Sequence, residues 1–479
     1  LAVARRAAGV TRPQDAVDQF ARAAKEGALT ARDRVTYGTA LGAVQRWADA
    51  AEQFAGITDP ALAGQAAYFH ARALLRNGQG DAAATALRAV IRRYPGDTNS
   101  AAIALYLLSD LAIDAGQIDS ARSNLLHLAS KYPTSPQRPH AILTAALIAL
   151  QRGKPEVAAR ELTAAIEAKL VTGEVDASHY WLARAKLAMG DSVGARTGFR
   201  ELMAKGPESY YAVRSAARLD SIPWTTLNAR PVTPPDSLDG VFDRAHLLDL
   251  LGLDNEAKFE RDRISAEAKG VDAERVAEAF LTRGFIGKAT QLGSRAAAAG
   301  APKDAALWQL LYPLPFVGTL YDAAAQEHLD PLLIASVIRQ ESGFEPHATS
   351  RTNARGLMQV EPSVGKDLAA VLHFPDFDPA QLWLPVVNLT FGIYHFAANL
   401  SRYPELERGI AAYNAGTSRV DRWTMAPLDG KTRTAEQIRD PIPDVELFVE
   451  RIPFVETRDY VRQVIRNWAV YKMVYGERK

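Results

Sequence analysis

The chain has 479 residues, 48% of them hydrophobic and 23% charged, and its 56 basic and 55 acidic side chains leave a net charge of +1. That length exceeds one compact core and implies two to four domains, while the balanced charge gives no reason to expect a nucleic-acid or acidic-surface partner. The absence of cysteine excludes disulfides, thiolate metal sites and a lipid-modified cysteine within this sequence, and the nine histidines show no paired ligand spacing, so no metal or cofactor is expected.

No apolar run reaches the roughly 20 residues that a membrane span requires. The sequence begins at Leu1, and residues 1–20 lack a basic stretch followed by an apolar signal core, which reads as a mature or trimmed product. Alanine dominates the apolar residues, and the chain reads as all-α. Before about residue 225 it repeats. Gly78, Gly116, Gly153 and Gly190 are separated by 38, 37 and 37 positions, Tyr68, Tyr106 and Tyr180 each fall ten residues before a glycine, and Tyr94-Pro95 recurs 38 residues later as Tyr132-Pro133. This is a helical-hairpin repeat similar to tetratricopeptide units, in which a glycine-containing turn joins two helices and each pair buries its face on the next. The polar, proline-rich stretch 230–237 marks a break, and short helices resume over 238–300.

In the last third, Asp330 and Pro331 start a helix on which Ile334, Val337, Ile338 and Glu341 share one face, and Ser342-Gly343 stops it. An acid on that face is a candidate general acid, because burial and the negative end of the helix dipole both favour its protonated form. Helices are expected around 379–401 and 405–415, carrying Asn388, Gly392 and the run Ala412-Tyr413-Asn414-Ala415-Gly416 into a cleft wall. A last helix is expected over about 459–475, with Tyr460, Val464, Ile465, Trp468 and Tyr471 at packing intervals and Trp468 in the core. Trp383, Tyr394 and Trp423 suit either packing or stacking against a sugar ring.

Five segments, taken in order, resemble the soluble lytic transglycosylases, a peptidoglycan-cleaving family with a lysozyme-like catalytic domain. They are Arg339-Gln340-Glu341-Ser342-Gly343-Phe344 with Pro346; Ser350; Gly356-Leu357-Met358-Gln359; the run 412–416; and Ile452-Pro453 with Glu456-Thr457-Arg458 and Tyr460-Val461. Ser209-Tyr210-Tyr211 looks like a further family segment, with Ala212 where the family has glycine. The resemblance implies an all-α molecule in three parts: a tetratricopeptide-like superhelix over 1–229, which in that family closes into a ring, a helical linker over 230–304, and a lysozyme-like catalytic domain over 305–479.

The resemblance also implies roles. Glu341 would be the acid/base, Gln359 and Tyr413 would line the sugar cleft, and Ser350 would steady the reacting sugar. Glu456 would be the glutamate of the Glu-Thr-Arg segment, with Glu450 a second acid near it. Ser342, Gly356, Met358, Asn414 and Tyr460 enter as substrate-contacting candidates from the same motifs. Two positions depart from the family: Asn353 stands where glycine is frequent, a change that asparagine's tolerance of a left-handed backbone makes silent, and Glu361 replaces a common Met or Thr and adds an acid beside the cleft.

Ordinary glycoside hydrolysis uses two carboxylates. With one essential acid, the resemblance implies attack by the muramic acid C6 hydroxyl and a 1,6-anhydro product. The alternatives are a lysozyme-like hydrolase, with Glu361, Glu450 or Glu456 as second carboxylate, and an inactive peptidoglycan-binding scaffold. The implied partners are glycan strands and muropeptides, with cell-wall enzymes docking on the repeats. The implied location is the periplasm.

Overall fold

The computed structural model describes residues 1–9, 13–27, 29–221, 224, 226–227, 238–269, 272–428 and 430–476, so the break at 230–237 lies outside the described residues. Among the described residues the secondary structure is helical, apart from isolated bridges pairing Thr349 with Arg355 and Arg355 with Val360. No helix among them is long and apolar enough to cross a membrane.

The chain forms two compact units. The first comprises Leu1–Gly198, Ser418–Ile438 and Asp444–Pro453. Its repeats are helix pairs such as Ala63–Arg76 with Gly80–Arg93, Thr98–Asp114 with Ile118–Lys131, and Arg138–Gln151 with Pro155–Glu167, each helix packing on the next. The spaced glycines sit at the turns. Gly78, Gly116, Gly153 and Gly190 have φ of 78°, 68°, 70° and 85°, a left-handed backbone that a side chain would strain. The Tyr-Pro pairs end second helices: Tyr94 caps Gly80–Arg93 and Tyr132 caps Ile118–Lys131, because the residue before proline is driven out of helical geometry.

Two later stretches complete this unit. They supply the helix Val445–Arg451 and most of Thr417–Met425. Arg451, 2% exposed in its side chain, ion-pairs with Asp110 and Asp114 and donates from Nε to Ala426 O at 2.8 Å. Arg422 reaches Asp114 at 3.2 Å. Arg184 holds Asp444 at 2.6 Å and Glu446, which also accepts from Tyr180 Oη at 2.6 Å. Burial and the adjacent Asp110 push the Asp114 carboxyl up, against the pull of Arg451.

The second unit comprises Phe199–Thr417, Arg439–Pro443 and Phe454–Lys479. Ser209 caps the helix Tyr210–Arg218, burying both tyrosines. Four helices follow, Asp239–Leu250, Asp254–Glu267, Asp272–Thr282 and Ile286–Ala298. Their core includes Phe242, Phe280 and Leu292, joined by Leu307 and Leu310 of Ala305–Leu311.

In the rest of this unit the acid helix Pro331–Glu341 packs on the last helix, Val455–Tyr475, which also packs on Leu406–Ala415. The last helix begins one turn before the expected 459. The expected helix over 379–401 is a 3-10 turn, Pro379–Trp383, followed by Pro385–Arg402, because Leu384 precedes a proline and is extended. Trp468 is a correction: it is half-buried, donates from Nε1 to Asp330 Oδ2 at 2.7 Å, and carries the Lys472 ammonium 3.3 Å from its ring centroid. Its polar edge makes it a tie to the cap of the acid helix. Trp423 is 1% exposed and packs in the first unit.

Candidate active site

Glu341 ends the acid helix. The Asp330 side chain accepts from Leu332 N at 2.8 Å and Pro331 fills the first turn. Leu333, Ile334, Val337 and Ile338 are at most 4% exposed. Each such burial contributes about 1.5–3 kcal/mol, which fixes the helix and holds its terminal acid in apolar surroundings. Burial pushes the Glu341 carboxyl up to about 7; a hydrogen bond opposes the shift and the charge of Glu456 adds to it. That bond comes from Tyr460, whose Oη donates to Oε1 at 2.6 Å. Tyr460 is 5% exposed, and burial together with Glu341 raises its phenol well above the ordinary value, so it remains a donor. Glu456 lies one turn before it on the last helix, exposed and on the same face.

The run 356–359 forms a tight turn beside the acid helix. Arg355 and Val360 exchange backbone hydrogen bonds at 3.0 Å, and Gly356 has φ 77°, where a Cβ would meet Leu382 O at 2.2 Å. Ser342 Oγ donates to Leu357 O at 2.8 Å, stapling the turn to the end of the acid helix. Met358 is fully buried, and its carbonyl accepts from Tyr413 Oη at 2.7 Å. Gln359 spends its Nε2 on Gly356 O at 2.9 Å and Ala348 O at 3.3 Å. Tyr413 therefore joins Leu406–Ala415 to the turn, and Asn414 joins the same helix to the last one by accepting from Thr457 Oγ1 at 2.7 Å. Burial, with Glu341 adding to it, also raises the Tyr413 phenol well above the ordinary value. The outcome is one polarised acid, two neutral phenols and a rigid turn.

Residues 319–435 match the model of the Transglycosylase SLT domain. They are an SLT domain. Tetratricopeptide repeat models match 36–98, 68–136 and 143–218. The soluble lytic murein transglycosylase of Salmonella typhimurium is 27% identical over 314 residues, covering 64% of this chain and 45% of that protein. A putative soluble lytic murein transglycosylase of Haemophilus influenzae is 36% identical over 159 residues, covering 33% of this chain and 25% of that protein. The chain thus spans less than half the length of these relatives. Among solved structures, an inactive variant of the lytic transglycosylase Slt from Pseudomonas aeruginosa aligns with TM-score 0.59 at 20% identity over 96% of this chain and 75% of that one. The 70 kDa soluble lytic transglycosylase of Escherichia coli aligns with TM-score 0.57 at 18% identity over 99% of this chain and 88% of that one. At those identities the likeness is one of fold.

The remaining candidates separate. Ser350 Oγ accepts from Thr352 N at 3.2 Å and Ala354 N at 3.0 Å, so it shapes the loop before the turn. Asn353 in that loop has φ 69°, the left-handed geometry its side chain tolerates. Glu361 is exposed at the start of Pro362–Val371 and makes no capping bond. Glu450 belongs to the first unit, where it lines a small cavity with Tyr106, His140 and Thr144, whereas Glu341, Tyr460 and Glu456 belong to the second.

One residue that the sequence placed in the cleft wall, without a contact of its own, organises the turn. Asn388 is fully buried; its Oδ1 accepts from Met358 N at 2.7 Å, and its Nδ2 donates to Arg355 O at 2.8 Å and Leu382 O at 2.7 Å. Gly392, one turn on, lets Met358 approach; a Cβ there would lie 2.6 Å from Met358 Cβ. An amide inside an apolar helix, with glycine four residues later, is the signal that marks this pair. Among the described residues no cluster of His, Asp and Glu is arranged to hold a metal ion.

Proposed function

We propose that this chain is a peptidoglycan lytic transglycosylase, cleaving the β-1,4 bond between N-acetylmuramic acid and N-acetylglucosamine with formation of 1,6-anhydromuramic acid. The observation that carries this reading is the Glu341 carboxyl, lifted to about 7 by burial and hydrogen-bonded by Tyr460, at the end of a helix inside an SLT domain. The named relatives support the same substrate.

In this reading protonated Glu341 gives its proton to the glycosidic oxygen as the bond to the leaving sugar breaks. The carboxylate so formed then takes the proton of the muramic C6 hydroxyl as that oxygen attacks C1, which returns Glu341 to its starting state. A group near neutral pKa suits both half-reactions. Tyr460 holds the carboxylate oriented through both. Gln359 and the Tyr413 ring contact the sugars, and the substrate's N-acetyl group shields the cationic transition state. Ser342, Gly356, Met358 and Asn414 shape the cleft through the turn and its supports. The chain works in the periplasm after export, and the repeats offer a docking face for other cell-wall enzymes.

Glu456 gives the lysozyme-like alternative a specific basis, since its charge reaches Glu341 and two carboxylates are what hydrolysis needs. Mass spectrometry of products released from purified sacculi separates the two readings. Anhydro-muropeptides are expected. Reducing-end products, lost in Glu456→Gln, would replace this reading with hydrolysis.

A further inference from the structure

Several arginines in this molecule lie over aromatic rings, among them Arg184 on Trp181, Arg214 on Tyr210, Arg261 on Phe285, Arg283 on Phe242 and Arg408 on Tyr403. Each of these five also meets a carboxylate: Asp444 and Glu446, Glu407, Asp249, Asp239 and Glu405 respectively. Arg339, 4.0 Å from the centroid of Tyr312, and Arg355 differ, neither pairing with a carboxylate among the described residues. The Arg355 guanidinium lies 4.4 Å from the centroid of Trp383. Among the described residues its one side-chain hydrogen bond goes to Asn353 Oδ1, which accepts from Nε at 3.3 Å.

The setting is built to hold that group still. Arg355 is pinned through its backbone to Val360 on one side and to the buried Asn388 amide on the other. Trp383 is fixed by its Nε1 donating to Thr349 Oγ1 at 3.2 Å. Asn353 is fixed by its left-handed backbone and by the Ser350 loop. A guanidinium placed over an indole and held at Nε keeps its two terminal nitrogens as a fork, the geometry that takes a carboxylate through two parallel bonds. Pre-orientation removes much of the entropic cost of forming them.

We propose that Arg355 on Trp383 is an anchoring site for a carboxylate on the side arm of muramic acid, specifically a carboxylate of the stem peptide. The assignment rests on the peptidoglycan reading above and deepens it. Arg355 stands immediately before Gly356 of the turn and four residues before Gln359, so the fork flanks the segment that carries the sugar-contacting side chain. In peptide-bearing strands the lactyl carboxyl is tied up as an amide, which leaves the peptide as the source of free carboxylates. In strands stripped of peptide the lactyl carboxylate itself is exposed. The shared chemistry is a carboxylate, and the substrate decides its source.

The test compares release of soluble anhydro-products, at limiting substrate, from three preparations: untreated sacculi, sacculi whose carboxyls have been converted to amides with carbodiimide and ammonia, and glycan strands stripped of peptide by an amidase. The wild type is expected to slow about tenfold on amidated relative to untreated sacculi, the scale of a lost charge-assisted contact. Arg355→Gln is expected to be slow on untreated sacculi and to lose nothing further on amidation. Trp383→Leu, which removes the platform and leaves the charge, is expected to show the same blunted response. If Arg355→Gln slows both kinds of sacculi by one common factor, the guanidinium serves the loop's fold and the proposal fails. A loss confined to stripped strands would assign the fork to the lactyl carboxylate and overturn the stem-peptide source. Absence of product from the wild type on all three preparations would instead be a failure of the transglycosylase reading itself.

Discussion

Glu341 sits between opposing influences. Burial and the charge of Glu456 favour its protonated form, while the hydrogen bond from Tyr460 favours the carboxylate, and the balance leaves the group near 7. A general acid works while it holds its proton, so the rate is expected to fall as pH rises through about 7. The two neighbours move that limb in opposite directions. Tyr460→Phe removes a bond to the charged form and shifts the alkaline limb of the pH–rate profile upward; Glu456→Gln removes a negative neighbour and shifts it downward. A profile in which both substitutions lower the rate without moving the limb would mean that neither residue tunes the acid. Glu341 itself was legible in the sequence because an acid on an apolar helix face between a clear start and a clear stop stands out. Tyr460 was legible as a motif residue, but its bond to Glu341 joins positions 119 residues apart, and local periodicity carries no information about such a pairing.

At the scale of elements, the turn 356–359 is held from three helices: Ser342 at the end of the acid helix, Tyr413 on Leu406–Ala415, and Asn388 on Pro385–Arg402. Asn388 bears the most, since its three hydrogen bonds satisfy buried backbone groups that have no water to turn to. Asn388→Ala is expected to cost roughly 2–4 kcal/mol of stability, read as a lower urea midpoint, with a loss of activity larger than the stability loss explains because Gln359 moves with the turn. An unchanged midpoint would remove Asn388 from this role. The acid helix and its caps, the glycine turns of the repeats and the end of the helix before Gly416 were readable from residue type alone, because each is a local backbone requirement. The break at Leu384-Pro385 was readable in principle from the proline. The early start of the last helix was not, and it is what brings Glu456 onto the face of Tyr460.

For the whole molecule, sequence similarity and compactness divide the chain differently. The SLT match runs over 319–435, yet 418–438 and 444–453 are built into the first unit through Arg451 with Asp110 and Asp114, and through Asp444 and Glu446 with Arg184. Composition cannot show this, because an ion pair between positions 451 and 110 leaves no trace in the local pattern of either segment. A fragment of 305–479 would lack every one of those partners and leave Arg451 unpaired. Limited proteolysis of that fragment is therefore expected to cut first within 418–453, at sites protected in the full chain; equal protection in both would show that the segment folds without the repeats.

In the proposed reaction Glu341 supplies the proton for bond cleavage. The most direct measurement compares wild type and Glu341→Gln on purified sacculi, following both sedimentation with the sacculi and release of soluble products. The variant is expected to bind as the wild type does and to release no anhydro-muropeptides. Substantial product release by Glu341→Gln would contradict that role.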